Sequence, residues 1–215
     1  MRLALLLCLL ALPAFAAPRA PAPAGCEPAI AAAEQGARTA PGLLHAIGLV
    51  ESGRRDPRTG QRHPWPWTVT AEGVGTYYAS KEEAIAAVQA LQARGVASID
   101  VGCMQVNLMY HPDAFRSLDQ AFDPGPNAAY AARFLNSLYA RLADWPAAAA
   151  AYHSMTPGPA AQYAKLIAAV WSGAPVPVMR GANGQEVVLF PGGGQMRIFR
   201  EASAAGRGRV IGFLD

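Results

Sequence analysis

Through most of the chain apolar residues recur three and four positions apart, the period of one helix face, and they alternate only briefly. This pattern predicts a short helix over 28–36 and a second that starts at Pro41 and ends right after Glu51, in which Leu43, Leu44, Ile47, Val50 and Glu51 fall within an arc of roughly 120°. Pro41 suits the first turn of that helix, and Gly53 suits the position just past its end, where a left-handed residue is favoured. The stretch that follows, from Ser52 to Pro64, has no period and reads as an exposed loop. Between Trp65 and Ala79, β-branched and aromatic residues alternate in two short runs around Glu72–Gly75, the mark of a β-hairpin. Ser80 and Glu83 form a capping box that opens a helix with the stripe Ile85, Val88 and Leu91, and Gly95 stops it.

Three further helices are expected. One runs over 127–143 with Tyr130, Phe134, Leu135, Leu138 and Leu142 on one face. The second is the Ala-rich run ending in Tyr152 and His153. The third spans 159–171, with Tyr163, Leu166, Ile167, Val170 and Trp171 on one side. The fold class is therefore mainly α, an α+β chain with a small β-hairpin insertion. Beyond Ser172 the composition turns to Gly and Pro, with strand-like runs at 187–190, 196–199 and 210–214. A small β appendage and a partly disordered tail both stay open for that segment, and no catalytic constellation is visible in it.

The position of Glu51 is the most informative single feature. A carboxylate on an apolar stripe, in a last helical turn, meets burial and the negative end of the helix dipole together. Both disfavour ionisation, which is how a carboxylic acid is kept protonated to serve as a general acid. A Glu at the rim of the stripe, reaching into water, is the other reading of the same periodicity.

Composition narrows the partners. Lys and Arg number 18 against 15 Asp and Glu, a formal charge of +3 spread along the chain, so the basic footprint of a nucleic-acid binder is missing. Residues 1–16 read as a cleaved secretory signal peptide, with Arg2 ahead of the apolar run Leu3–Leu12 and a small-residue end at Ala16. The run is too short to span a bilayer, and no stable membrane anchor is expected. Residues 17–27 form a Pro/Ala linker, 28–172 the main domain and 173–215 the tail. Removal of Cys8 with the leader leaves Cys26 and Cys103 in a compartment that permits disulfides. A bridge between them is one expectation, worth about 4 kcal/mol on the chain-entropy model, and two unpaired thiols the other. The aromatic residues Trp65, Trp67, Tyr77 and Tyr78 either form a stacking platform for sugar rings or seal the hairpin against the helices.

Three motifs acquire meaning together: Glu51-Ser52 at a helix end, the sequence GCMQVN from Gly102 to Asn107, and Ala151-Tyr152-His153 on the Ala-rich helix. In this order and behind a signal peptide they resemble the soluble lytic transglycosylase family, whose fold is related to goose-type lysozyme; the resemblance covers roughly 28–171. It implies a lysozyme-like domain in the periplasm or cell envelope. It further implies cleavage of the β-1,4 bond between N-acetylmuramic acid and N-acetylglucosamine in peptidoglycan, leaving a 1,6-anhydro end. On that model Glu51 protonates the leaving oxygen and then takes the proton of the attacking C6 hydroxyl. Gln105 and Asn107 would line the sugar cleft, Gly102 would let backbone approach the ligand, and Met104 would pack beneath. The Tyr152 hydroxyl would reach toward Glu51, with Ser52 and Ser98 as further hydrogen-bond partners.

The chain departs from the family at His153, where Asn is usual, and at Cys103, where an aliphatic residue is usual. His153 is expected to hydrogen-bond sugar or to tune the pH response. Asp56, Glu72 and Asp100 are the other carboxylates near the motifs in sequence, and Asp100 reads as a loop-shaping residue. No metal or organic cofactor is implied, and His63 is given no metal role. Two alternatives stand beside the transglycosylase: a hydrolytic muramidase, and a catalytically silent cell-wall-binding scaffold. Specialised relatives serve secretion or flagellar machinery, and no residue here selects one.

Overall fold

A computed structural model describes residues 25–181, 183–189 and 196–202. The expected signal peptide, most of the linker and the strand-like run 210–214 lie outside the described residues. Among the described residues seven helices pack beside a seven-stranded sheet and a two-stranded ribbon.

The helical half is built on α1 (Cys26–Ala37), α2 (Leu43–Ser52), α5 (Pro124–Leu142), α6 (Trp145–His153) and α7 (Pro157–Trp171). Helix α2 is the central one: Leu43, Leu44, Ala46, Ile47, Gly48, Val50, Glu51 and Ser52 are all buried, so its apolar face is wider than the stripe alone indicates. It starts two residues later than expected, with Gly42 in a left-handed conformation before it. Its N-terminus is capped from another helix: the Glu34 carboxylate of α1 accepts from the backbone N–H of Leu44 at 2.7 Å and of Gly42 at 3.2 Å. Gly53 is not left-handed, its φ being −60°. It is needed for another reason, because a Cβ there would lie 2.2 Å from the carbonyl oxygen of Leu49.

The start signals of later helices act as expected from their chemistry. At α3 (Lys81–Ala93) the Ser80 hydroxyl accepts from Glu83 N–H, and Glu83 reaches back to Ala79 N–H. Asp144 caps α6 by accepting from Ala147 N–H, and Pro124 and Pro157 open α5 and α7. The face of α5 differs from its expected one. Leu135 and Leu138 are buried, but Leu142 is 41 % exposed, and the small Ala128, Ala131 and Ala132 are buried on this helix, which packs against α1 and α6.

The polar stretch after α2 is a two-stranded ribbon rather than a loop. Strand β1 (Gly53–Arg55) pairs antiparallel with β2 (Arg62–Pro64), and the Asp56 carboxylate accepts from Arg58 N–H in the turn. A ribbon this short has no alternating apolar face to announce it. The expected hairpin is β3 (Thr68–Ala71) with β4 (Val74–Tyr77), turned at Glu72 and Gly73, both at positive φ. Strands β5 (Ile99–Val101) and β6 (Val106–Asn107) extend it on one side. On the other side the Gly/Pro-rich segment joins the same sheet as β7 (Val178–Arg180), β8 (Glu186–Leu189) and β9 (Met196–Glu201), and β9 runs parallel to β4. Phe199 of β9 is 1 % exposed, stacks on Tyr77 at 5.3 Å and occupies the space that a side chain at Gly75 would need.

A disulfide joins Cys26, the first residue of α1, to Cys103, with Cα atoms 5.7 Å apart across 77 residues of chain. No helix among the described residues is long and apolar enough to cross a membrane.

Candidate active site

Helix α2 carries Glu51 to the floor of a cleft of about 230 Å³. The cleft walls come from β5 and β6 (Asp100, Asn107), from Gln105 between them, from Tyr130 and Phe134 of α5, from Tyr152 and His153 of α6, and from Arg197 of β9. Glu51 is 2 % exposed, so its carboxyl lies with the apolar face of its helix and not at a wet rim. Both oxygens are held. The Tyr163 hydroxyl donates to Oε1 at 2.7 Å, and Nη1 of Arg197 donates to Oε2. Burial, and after it the Glu51 charge, push the Tyr163 phenol well above its usual range, so it stays a proton donor in that bond.

Neither of these partners was foreseen. Tyr163 was legible as a core residue of α7, and nothing in the period of that helix marks its hydroxyl as functional. Arg197 sits in the segment where no constellation was expected, because only the parallel pairing of β9 with β4 carries it over α2. The tyrosine expected to reach Glu51 does something else: the Tyr152 hydroxyl donates to the Met104 carbonyl at 2.8 Å. Its ring still lines the cleft. His153 also lines it, stacked on Tyr163 at 4.5 Å, with Nδ1 3.0 Å from Nη2 of Arg197. As a guanidinium can only donate, Nδ1 is the acceptor.

The remaining motif residues build the loop that faces Glu51. Ser52 is fully buried, and its hydroxyl donates to the Cys103 carbonyl at 2.6 Å, tying the end of α2 to that loop instead of facing substrate. Gln105 lines the cleft at φ 48°, but its amide is already engaged: Nε2 donates to the carbonyls of Thr68 and Gly102, and Oε1 accepts from the Thr70 hydroxyl. Asn107 donates to Asp100 Oδ1 at 2.8 Å and to the exposed Ser98 hydroxyl at 3.0 Å, while its own oxygen accepts from Met109 and Tyr110 N–H. Met104 is completely buried, as packing beneath the site requires. Gly102 has φ 81°, and the close approach it permits is to the Asn127 side chain, 2.4 Å from where a Cβ would stand, not to a ligand.

Asn127 is the third residue whose role was missed. Wholly buried on α5, it accepts from Met104 N–H at 2.9 Å and donates to the carbonyls of Val101 and Ala121, so one amide fixes both ends of the Gly102–Gln105 turn. A lone Asn in phase with Ala128, Ala131 and Leu135 was the available signal. Asn127→Ala removes three buried hydrogen bonds and is expected to cost about 3 kcal/mol in denaturant unfolding. A loss below about 1 kcal/mol would show that the turn does not depend on it.

Asp100 belongs to the cleft and does more than shape a loop. Its pKa is pushed up to about 6, first by burial and further by Glu51, against the lowering influence of Arg197 and of the Asn107 bond. A carboxyl raised on folding favours the native state below its unfolded pKa, and that contribution is lost as pH climbs through the folded value. The protein is therefore expected to lose stability relative to Asp100→Asn between about pH 4 and pH 6. Melting temperatures of the two proteins that run parallel across this window would refute the assignment. Asp56 and Glu72 lie elsewhere, at the turns of the ribbon and the hairpin.

The aromatic group splits. The Tyr77 hydroxyl donates to the Gly53 carbonyl in the core, so Tyr77 seals the hairpin. Trp65 and Trp67, edge to face at 5.3 Å, line a different groove of about 870 Å³ that Glu51 does not reach. His63 pairs with Glu27 at 2.8 Å. Among the described residues no His, Cys, Asp and Glu group of three or more is arranged to hold a metal ion.

Comparison with known proteins adds one finding: residues 28–162 match the family model for the transglycosylase SLT domain. No curated protein and no solved structure matches the chain.

Proposed function

Because the chain belongs to the transglycosylase SLT domain family, whose members act on peptidoglycan outside the cytoplasm, we propose that it is a peptidoglycan lytic transglycosylase with Glu51 as its acid and base. The observation that carries this reading is the Glu51 carboxyl itself, 2 % exposed at the floor of a cleft and oriented by Tyr163. Protonated Glu51 gives its proton to the glycosidic oxygen as the bond from that oxygen to C1 of the muramic sugar breaks. The C6 hydroxyl of the same sugar then attacks C1 and returns its proton to Glu51, so no water is consumed and the carboxyl ends as it began. Tyr152, His153, Gln105 and Asn107 form the walls that hold the sugars, the last two by fixing the loop more than by offering free amides. The expected signal peptide would place the enzyme in the periplasm or envelope, and peptidoglycan strands are its macromolecular partner.

A hydrolytic reading keeps the same cleft and rests on Asp100, a second carboxyl in it that could activate water. Mass spectrometry of the soluble products from purified peptidoglycan separates the two. Anhydro-ended muropeptides are expected; products about 18 daltons heavier with a reducible end would make the protein a muramidase.

A further inference from the structure

Arg197 lies beyond the residues that match the family model, so the family assigns it no role. Its backbone is firmly placed: β9 is hydrogen-bonded on both edges, to β4 and β8, Phe199 is anchored in the core, and Glu201 at the strand's end pairs with Arg54 at 2.8 Å. The side chain reaches from this anchor into the cleft, where Glu51 and His153 hold it. There it donates to Glu51 Oε2 while Tyr163 donates to Oε1, so both oxygens of a carboxyl that is 2 % exposed are engaged while the guanidinium stays. The cleft of about 230 Å³ is also below the roughly 300 Å³ at which small-molecule sites begin.

A guanidinium held by a buried carboxylate gives it up readily only for another anion, since leaving it for a neutral group strands a charge in a poorly solvated site. Asp100 faces the same guanidinium, but Asn107 already donates to one of its oxygens, and His153, Tyr152 and Tyr163 offer no negative charge near neutral pH. Arg197 is the sole Lys or Arg among the described residues that line the cleft. The muramic sugar of peptidoglycan carries, through its lactyl group, a peptide stem that bears carboxylates, whereas chitin oligomers of N-acetylglucosamine carry none.

The geometry points to Arg197 as a substrate-displaced plug: a carboxylate on the substituent of the muramic sugar draws the guanidinium off Glu51, opens the cleft and makes the site selective for acidic over neutral glycan. This inference rests on the reading of the cleft as a muramyl-glycan site. Its test is binding, measured by calorimetry on the wild-type protein, Arg197→Gln and Arg197→Lys. The two probes are GlcNAc–MurNAc-tetrapeptide, which lacks the scissile bond, and tri-N-acetylchitotriose. Wild type is expected to favour the acidic ligand by about tenfold, Arg197→Gln to lose that preference mainly by binding the neutral ligand better, and Arg197→Lys to keep most of it. An unchanged preference in Arg197→Gln, or a parallel loss of both ligands, overturns the plug. Anhydro products from wild type together with an unchanged preference would overturn the plug alone, whereas binding of neither probe by any of the three proteins would remove the glycan-site reading as well.

Discussion

Glu51→Gln is expected to lower the release of anhydro-ended muropeptides by about 10²–10⁴-fold, the usual contribution of a positioned general acid and base. The substitution keeps the shape of the side chain, and its amide oxygen can still accept from the Tyr163 hydroxyl as Oε1 does. It removes the one property that the chemistry needs, a proton that can be given and taken back at the same atom. It also removes the anion facing Arg197, whose guanidinium keeps His153 Nδ1 as an acceptor at 3.0 Å. The loss should therefore appear in turnover per folded molecule, with the circular dichroism spectrum unchanged. A Gln variant as active as wild type would exclude Glu51 as the acid. A wild-type protein that binds peptidoglycan and cleaves nothing would favour the silent scaffold.

The largest expected effect on stability comes from the Cys26–Cys103 bridge. It closes a loop of 77 residues of sequence separation, and on the chain-entropy model its removal in a Cys26→Ser, Cys103→Ser double variant costs about 4 kcal/mol. The local consequence matters as much. Cys103 stands between Gly102 and Met104, its carbonyl holds Ser52, and the Met104 carbonyl accepts from Tyr152, so the bridge pins α1 to the loop that faces Glu51. Denaturant unfolding should show the lower midpoint, and the intact mass should rise by about two daltons on reduction, one hydrogen for each sulfur of the bridge. A midpoint within about 0.5 kcal/mol of wild type, the range of ordinary surface substitutions, would mean the bridge contributes little.

The fate of the individual residues shows where sequence reading holds and where it stops. The position of Glu51 on an apolar stripe was legible because the property is local, one helix, one period, one carboxylate in phase with Leu44, Ile47 and Val50; the choice of burial over a wet rim came from the packing. The hairpin at Glu72–Gly73 and the Ser80 cap were legible on the same ground, since their hydrogen bonds close within a few residues. The roles of single polar atoms were not. Tyr163 sits on α7, which packs against α2, and Tyr152 on α6, which packs against α5 and α7; which hydroxyl meets Glu51 depends on how these helices are turned, a matter of packing that no period encodes. Gln105 and Asn107 were expected to offer amides to sugar, yet backbone groups of the turn and the side chains of Thr70, Asp100 and Ser98 claim them first, because a buried unpaired group costs free energy.

The sequence by itself determined the helical character and the placement of a carboxyl on an apolar helical stripe, each from chemistry within a span of ten or twenty residues, and the order of the three motifs that resembles the transglycosylases. Only the tertiary structure decided what surrounds that carboxyl. Arg197 is 146 residues from Glu51 along the chain. It arrives there because a Gly/Pro-rich segment with little periodicity adds a strand parallel to β4, a pairing held by backbone hydrogen bonds that every residue except proline can make. Such bonds leave no mark in side-chain pattern, so the cation that faces the acid is visible only once the chain has folded.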